Sequence, residues 1–231
     1  MRRLLSYFSR LELALWGASV ALILLSFFAF DRVNYLTLIA SLIGVTSLIF
    51  CAKGNPVGQV LMVIFSLFYG MISYSYSYYG EMITYLGMTL PMAIVALVSW
   101  LRNPYNGNRA QVKVNSIGWI ERMLLCLATV AVGFAFYFIL AYFGTANVVP
   151  STVSVATSFF AAYLTFRRSP YFALAYAAND IVLIALWVLA SVSNVHYVSV
   201  VVCFVAFLFN DIYGFISWQR MKKRQNEITL R

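Results

Sequence analysis

The sequence contains very few charged side chains, and acidic ones are the rarest. Of 231 residues, 7 are acidic and 16 are basic, so that 10% of the chain is charged, whereas about a quarter of a soluble domain is charged. So few polar residues cannot cover a water-exposed surface, which excludes a soluble globular fold. With 63% hydrophobic residues, the chain is expected to be an integral membrane protein that contacts the lipid bilayer. The net charge of +9 then reflects membrane orientation, and no nucleic-acid partner is predicted.

Residues that build metal and catalytic sites are equally sparse. The single histidine, His196, and the three cysteines, Cys51, Cys126 and Cys203, lie far apart in the sequence, and no CxxC pair occurs. The sequence also has no HExxH zinc motif, no GxSxG nucleophile motif and no P-loop. We therefore expect no catalytic residue, no metal and no cofactor, and a protein that is not an enzyme.

Eight apolar stretches are long enough to cross a bilayer, for which about 20 residues suffice. Pro56, Pro150 and Pro170 mark helix starts, where a proline costs no backbone hydrogen bond. Pro91 instead falls inside the fourth stretch and is expected to kink that helix. Only 102–119 is a longer loop, so no soluble domain fits between the helices. Residues 1–231 are predicted to form one all-α transmembrane domain, with helices at 11–30, 33–52, 57–78, 82–101, 120–143, 148–166, 170–190 and 197–218.

The basic residues predict the orientation of these helices. Eight helices place both ends of the chain on the same side of the membrane. If the N-terminus is cytoplasmic, every one of the 16 basic residues except Arg32 falls on the cytoplasmic side. Lys and Arg accumulate in cytoplasmic segments, so we expect both termini in the cytoplasm.

Two pairs of landmarks recur at nearly equal separation. Lys53-Gly54-Asn55-Pro56 resembles Arg167-Arg168-Ser169-Pro170, and Trp100 resembles Trp218, each tryptophan being followed by an arginine two residues later. Parallel internal repeats of this kind build SWEET-type carriers. The predicted architecture is one additional helix (11–30) and a 3+1+3 core, in which the repeats 33–101 and 148–218 are joined by the linker helix 120–143.

Two acidic residues, Asp180 and Asp211, lie inside predicted membrane helices. An aspartate at the bilayer centre costs about 2.5–3.5 kcal/mol, so it usually faces a cavity or a partner. Aromatic side chains on the same helices can stack on flat or cationic rings, and amides and carboxylates can bind hydroxyl groups. A small, flat, hydroxylated solute would suit such a cavity. The candidate substrate-binding residues are Gln59, Tyr69, Tyr85, Tyr176, Asn179, Asp180, Trp187, Asn210 and Tyr213.

Other functions remain open from these residues. The same polar groups could hydrogen-bond between helices and stabilise a non-transporting membrane protein, which would have no cavity. An intramembrane hydrolase would need Asp180 and Asp211 within reach of one shared water. Trp100 and Trp218, near the cytoplasmic end, are expected to anchor the protein at the membrane surface.

Residues 79–82 (YGEM), Pro91-Met92 and Trp100, together with 210–214 (NDIYG) and Trp218, resemble the PnuC family of bacterial vitamin transporters over about 33–224. The resemblance implies a 3+1+3 fold in the bacterial inner membrane. It also implies uniport, or facilitated diffusion, of nicotinamide riboside, with trapping through phosphorylation by a cytoplasmic kinase. Trimers are a further implication.

The chain departs from that family at candidate site positions. Family members commonly carry a tryptophan four residues before a polar residue in the seventh helix, and Tyr176 and Asp180 occupy these positions here. In the fourth helix, Tyr85 and Ala93 stand where a polar residue and a glutamine are common. Thiamine or another nucleoside-like vitamin is therefore the alternative substrate. An acidic Asp180 suits a cationic ring, which both nicotinamide riboside and thiamine possess.

Overall fold

The computed structural model of the protein describes residues 7–75, 82–145 and 147–229. Residues 79–81, which contribute to the family resemblance, lie outside these ranges. Within them, eight helices are long and apolar enough to cross a membrane, which confirms the predicted number. The helices are α1 (Arg10–Phe30), α2 (Tyr35–Ala52), α3 (Val57–Ser75), α4 (Leu90–Arg102), α5 (Trp119–Tyr142), α6 (Val148–Phe166), α7 (Phe172–Ser191) and α8 (Val198–Thr229).

The first helix begins at a complete capping box. The Ser9 hydroxyl accepts the backbone N–H of Glu12 at 3.2 Å, and the Glu12 carboxylate accepts the backbone N–H of Ser9 at 2.6 Å. Each side chain satisfies a backbone donor that the start of a helix leaves unpaired. Residues 9–12 therefore determine where α1 starts, and the observed start at Arg10 lies one residue before the predicted one.

Near Pro91, where a kink was predicted, the structure has a π-helical segment, Thr84–Thr89, directly before α4. Proline lacks the N–H that an α-helix needs, and its ring collides with the carbonyl four residues earlier. A π-helical turn widens the backbone at that point, and such turns are frequent at functional sites. Tyr85, one of the candidate site residues, lies in this segment.

The loop predicted at 102–119 contains a short antiparallel hairpin, formed by β1 (Pro104–Tyr105) and β2 (Asn108–Val112). Its turn residues, Asn106 and Gly107, have φ values of 48° and 76°. Positive φ at both central positions is the type I′ turn, for which Asn-Gly is the preferred sequence. The predicted loop therefore contains a hairpin that the sequence analysis did not identify.

The last helix is longer than predicted, because α8 continues well past residue 218 to Thr229. Its extension lies under the predicted cytoplasmic end, where Met221 and Gln225 are buried. The Gln225 side chain accepts the backbone N–H of Val114 at 2.8 Å and donates to the carbonyl of Val112 at 3.1 Å. The basic tail stays helical because it packs against the segment that follows the hairpin.

The helices surround a core of apolar side chains from α2, α3, α7 and α8, to which α1 contributes Ile23. Helix α1 packs on α2 and α8 from outside, and α5 makes its main contacts with α6. Much of α5 is exposed, including Trp119, Val130 and Phe134, as expected for a helix that faces lipid. The peripheral positions of α1 and α5 suit the predicted roles of an additional helix and a linker helix.

Candidate functional site

Trp100 and Trp218 close one end of the bundle. Both side chains are fully buried, and their ring centroids are 5.4 Å apart. The indole N–H of Trp100 donates to the carbonyl of Thr165 at 2.9 Å, and that of Trp218 donates to the carbonyl of Cys51 at 2.8 Å. The expectation that they anchor the protein at the membrane surface was therefore wrong. They form an aromatic plug at the predicted cytoplasmic end.

Helices α2 and α6, whose carbonyls accept these two indole N–H groups, end in the same conformation. The Gly54 N–H donates to the carbonyl of Cys51 at 2.9 Å, and the Arg168 N–H donates to that of Thr165 at 3.0 Å. Gly54 and Arg168 have φ values of 67° and 56°, the left-handed conformation that commonly ends a helix. Each carbonyl thus accepts one backbone N–H and one indole N–H, at equivalent positions of the two predicted repeats.

A cavity of about 290 Å³ lies at the opposite, predicted outer end. Tyr69 of α3 and Trp187 of α7, two of the candidate residues, line it together with Tyr197. The Trp187 and Tyr197 rings are 5.3 Å apart, and those of Tyr69 and Tyr85 are 4.4 Å apart. The wall is therefore an aromatic cluster suited to stacking on a flat ring.

Residues of the two connections at this end complete the cavity. Asp31 and Asn34 line it from the α1–α2 connection, and Asn194 and His196 from the α7–α8 connection. Nδ1 of His196 lies 2.6 Å from the carbonyl of Phe30. The sequence analysis assigned no role to His196. Asp31 and Tyr197 were missed, since only their proximity to helix ends could have indicated them.

Asp180 and Asp211 face each other inside the bundle. The two side chains are close enough to interact electrostatically, and only 3% and 5% of the two residues are exposed. Oδ2 of Asp180 has no hydrogen-bond partner among the described residues. Neither carboxyl group forms an ion pair with a basic side chain in the part of the chain that the structure describes.

The acid pair, Asp180 and Asp211, lies between the outer cavity and the aromatic plug. Trp187, which lines the cavity, follows Asp180 by about two turns of α7, or roughly 10 Å along the helix axis. On the opposite side, Tyr176 and Cys51 are close enough to interact electrostatically with Asp211. Gln59 approaches the same group, because its amide donates to Sγ of Cys51 at 3.3 Å. Five candidate positions, Tyr69, Tyr85, Trp187, Asp180 and Tyr176, thus follow one path through the bundle, with Gln59 beside it.

Two other candidates, Asn179 and Asn210, face neighbouring helices instead of this path. The hydroxyl of Thr157 donates to Oδ1 of Asn179 at 2.7 Å, and the amide of Asn210 donates to the hydroxyl of Ser19 at 2.8 Å. These bonds join α7 to α6 and α8 to α1. They match the alternative interpretation, in which polar side chains hold the bundle together.

Tyr213 belongs to a separate contact that docks α1. Its hydroxyl donates to Oε1 of Glu12 at 2.9 Å, and Nζ of Lys53 lies 3.1 Å from Oε2 of the same carboxylate. The partly buried Glu12 therefore links the start of α1 to α8 and to the end of α2. Its place in this network leaves Tyr213 outside the path.

A larger groove of about 780 Å³ lies between α5, α6 and α7. None of the nine candidate residues lines it, and several of its apolar side chains, such as Val153 and Leu174, are exposed on the outside of the bundle. The candidate site is therefore the path from the outer cavity to the acid pair.

Comparison with known proteins gives three consistent matches. The model of the family described as "Nicotinamide mononucleotide transporter" matches residues 34–220. The nicotinamide riboside transporter PnuC of Neisseria mucosa is 26% identical over 204 residues, which cover 86% of this chain and 77% of that protein. The crystal structure of the vitamin B3 transporter PnuC matches with a TM-score of 0.82 and 23% identity, covering 94% of both chains.

The structural match shows that the eight-helix fold is that of the vitamin B3 transporter PnuC. The family match extends over most of the chain, from the beginning of α2 to the middle of α8. Of the helices, it leaves only α1 and the end of α8 outside, and it contains all the candidate residues of the path and both tryptophans of the plug, although the cavity residue Asp31 precedes it. The chain therefore belongs to the nicotinamide mononucleotide transporter family of multi-pass membrane proteins.

Proposed function

We propose that this protein carries nicotinamide riboside across the bacterial inner membrane, down the concentration gradient of the vitamin and without ATP. The observation that carries the proposal is the aromatic path that leads from the outer cavity to the buried acid pair. Stacking aromatics and carboxylates suit a flat, cationic pyridinium ring that carries a sugar. A relative that is 26% identical is named as a transporter of this compound.

The polar lining favours the riboside over the phosphorylated mononucleotide. A phosphate group is normally bound by Arg, Lys or a cluster of backbone N–H groups. No Arg or Lys is among the described residues that line the outer cavity, whereas Asp31 is. The acid pair farther along the path adds to the unfavourable environment for an anion. The cargo is therefore a cation without a phosphate group.

Transport follows from alternate opening of the two ends. In this structure the outer cavity is open to the predicted outer end, and Trp100 and Trp218 close the other end. Rocking of one three-helix repeat against the other would separate the two tryptophans, because each is bonded to a helix of the opposite predicted repeat. The proposal includes both chain termini in the cytoplasm, as the basic residues predict, and trapping of the arriving vitamin through phosphorylation by a cytoplasmic kinase. The exposed surface of α5 is available for assembly, including a trimer.

Uptake into proteoliposomes tests the proposal. Purified protein is reconstituted without ATP or an imposed ion gradient, and labelled nicotinamide riboside, nicotinamide mononucleotide and thiamine are compared. We expect saturable uptake of the riboside and none of the mononucleotide. Preference for thiamine would instead establish the alternative cargo, and absence of uptake of all three compounds would contradict a vitamin carrier.

A matched pair of variants connects uptake to the path. Trp187→Ala removes an aromatic wall of the cavity, and we expect a KM for the riboside that is raised roughly tenfold, equivalent to about 1.4 kcal/mol. Trp16→Ala removes a partly exposed tryptophan of α1 outside the cavity and should leave KM unchanged. Equal effects of both substitutions would show that the outer cavity does not bind the cargo.

No observation favours chemistry over transport, so we propose that the protein is not an enzyme. The proximity of Asp180 and Asp211 is what an intramembrane hydrolase would also require. The chain belongs to a transporter family, and a cavity leads toward the pair. Both observations favour binding of a cation over hydrolysis. A non-transporting membrane protein would be expected to have a closed core, whereas the outer cavity reaches into this one.

A further inference from the structure

The groove between α5, α6 and α7 has no part in the proposed path, and it opens on the outside of the bundle. Helix α6 packs against both α5 and α7 and therefore forms the floor of the groove. Val153, Tyr171 and Leu174 line it and are exposed. Its volume of about 780 Å³ is in the range of roughly 300–1,000 Å³ that is usual for ligand sites. In a membrane, its open side faces lipid.

The hydroxyl groups of the threonines in the groove are already satisfied by the protein. Thr129 and Thr152 each donate to the carbonyl four residues earlier on their own helix, both at 2.8 Å. Thr157 donates to Oδ1 of Asn179 at 2.7 Å. These hydroxyls therefore need no polar occupant of the groove. The rest of the α6 wall is apolar and includes Phe160, so hydrocarbon matches this surface best.

The groove has about the depth of one membrane leaflet. On α6 its lining extends from Leu164, near the predicted cytoplasmic end, to Thr152, which is about 18 Å along the helix axis. Half of a hydrocarbon core that is about 30 Å thick measures about 15 Å. On α7 the lining ends at Ala178, in the first half of the helix, which starts at the same end. An acyl chain of a lipid in the cytoplasmic leaflet therefore fits along the groove.

Two basic side chains lie at the predicted cytoplasmic mouth of the groove. Arg122 lines it near the start of α5, and Lys222 lines it from the extension of α8. No acidic side chain lines it among the described residues. The nearby carboxylate of Glu121 is engaged elsewhere, because Nη2 of Arg167 donates to its Oε2 at 3.0 Å. Within the described ranges neither Arg122 nor Lys222 forms an ion pair, so both charges are available to a ligand.

We propose that the groove binds one anionic phospholipid of the cytoplasmic leaflet, with its phosphate at Arg122 and Lys222 and an acyl chain between α5 and α7. Basic pockets between membrane helices on the cytoplasmic side bind anionic head groups, and Arg and Lys are the usual partners of phosphate. A free phosphate would leave the apolar length of the groove unfilled. A zwitterionic lipid would bring a cation of its own to the two basic side chains.

The bound lipid would join the predicted linker helix to the second predicted repeat, since α5 forms one wall of the groove and α6 and α7 form the rest. The path from the outer cavity to the acid pair lies elsewhere, and none of its residues lines the groove. The lipid can therefore remain bound while cargo passes. The inference does not depend on which vitamin is carried.

Native mass spectrometry tests the preference for an anionic head group. The full-length protein in detergent is titrated with phosphatidylglycerol or with phosphatidylcholine of the same acyl chains. We expect one phosphatidylglycerol to bind roughly 25-fold more tightly than phosphatidylcholine, because each basic contact at the membrane surface contributes about fivefold. Equal binding of the two lipids would overturn the proposal. Excess inorganic phosphate should leave the lipid bound, and displacement of the lipid by phosphate would show a site for a free anion instead.

Charge variants assign the head group to the mouth of the groove. Arg122→Ala combined with Lys222→Ala should weaken phosphatidylglycerol binding by roughly 25-fold and abolish the preference over phosphatidylcholine. Lys223→Ala combined with Arg224→Ala removes the same charge from exposed positions of α8 outside the groove and should keep the preference. A preference that persists in the first variant, or an equal loss in the second, would contradict the assignment. The wild-type comparison of the two lipids stays decisive if the first variant does not fold.

A second pair of variants tests the position of the acyl chain. Ala178→Phe adds a ring inside the groove at an exposed position of α7, whereas Ala135→Phe adds the same ring on an exposed part of α5 outside the groove. We expect the first variant to weaken phosphatidylglycerol binding by roughly tenfold and the second to leave it unchanged. The same spectra report the oligomeric state. Loss of an oligomer in Ala178→Phe with unchanged lipid binding would show that a second copy of the chain fills the groove, and would overturn the proposal.

Discussion

Replacing Trp218 with phenylalanine keeps a buried aromatic ring in the plug and removes its indole N–H. That N–H donates to the carbonyl of Cys51 at 2.8 Å. The loss of a buried hydrogen bond costs about 1–3 kcal/mol when a partner is left unsatisfied. Here the carbonyl also accepts the Gly54 N–H at 2.9 Å, so we expect the lower part of this range. A loss of about 1–2 kcal/mol corresponds to a roughly 5- to 30-fold change in the ratio of closed to open plug.

Cys51 reports this change directly, because it is buried beside the plug. The assay uses a background in which Cys126 and Cys203 are replaced by alanine, and a membrane-impermeant maleimide is applied to vesicles from either side. We expect Trp218→Phe to raise the rate of Cys51 alkylation from the predicted cytoplasmic side by about 5- to 30-fold. The rate from the other side should stay the same.

The control is Trp16→Phe, which also removes one indole hydrogen bond, to the hydroxyl of Thr46 at 3.2 Å. Trp16 is partly exposed on α1, so this change should not affect the plug. An unchanged alkylation rate in folded Trp218→Phe would refute the role of this bond in closing the bundle. A rise from both sides would indicate general loosening and would refute it as well.

Three further substitutions test the packing by thermal unfolding in detergent. Glu12→Gln breaks the ion pair in which Oε2 of Glu12 lies 3.1 Å from Nζ of Lys53. This change should destabilise the protein by about 1–3 kcal/mol. An unchanged Tm would contradict the docking of α1 by this carboxylate. Tyr213→Phe removes only the hydroxyl that donates to Glu12 and should cost about 1 kcal/mol, so a larger loss than in Glu12→Gln would be inconsistent. Gly44→Ala places a Cβ too close to the Phe207 ring and should cost about 1–3 kcal/mol through overpacking, which an unchanged Tm would disprove.

The membrane helices were predictable because the hydrocarbon of the bilayer permits very few backbone structures. Backbone groups in hydrocarbon must be satisfied within the segment, so a long apolar stretch becomes a helix. The observed α6, Val148–Phe166, has the predicted boundaries. The other starts lie within a few residues of the predictions when the π-helical segment Thr84–Thr89 is counted with α4. The end of α8 was missed, since hydropathy falls at the basic tail while the helix continues through burial of Met221 and Gln225.

The candidate site was predictable only in part, because helical periodicity assigns residues to a face and does not identify the helix that the face meets. Asp180 and Trp187 of α7 were both predicted as candidate residues, and both lie along the path. Asn179, the immediate neighbour of Asp180, points instead to Thr157 on α6. Asn210 likewise precedes Asp211 in the chain and contacts α1. Adjacent residues on a helix point in different directions, so their partners depend on the arrangement of the whole bundle.

The sequence by itself determined that this protein crosses the membrane eight times, because so few charges leave lipid as the surrounding solvent. It also contained the two tryptophans and the two helix ends at equivalent positions. Only the tertiary structure decided that Trp100 bonds to the end of α6 and Trp218 to the end of α2, and that Asp180 and Asp211 are close enough to interact electrostatically. These interactions join residues far apart in the chain, and their geometry is fixed by the packing of whole helices rather than by local sequence.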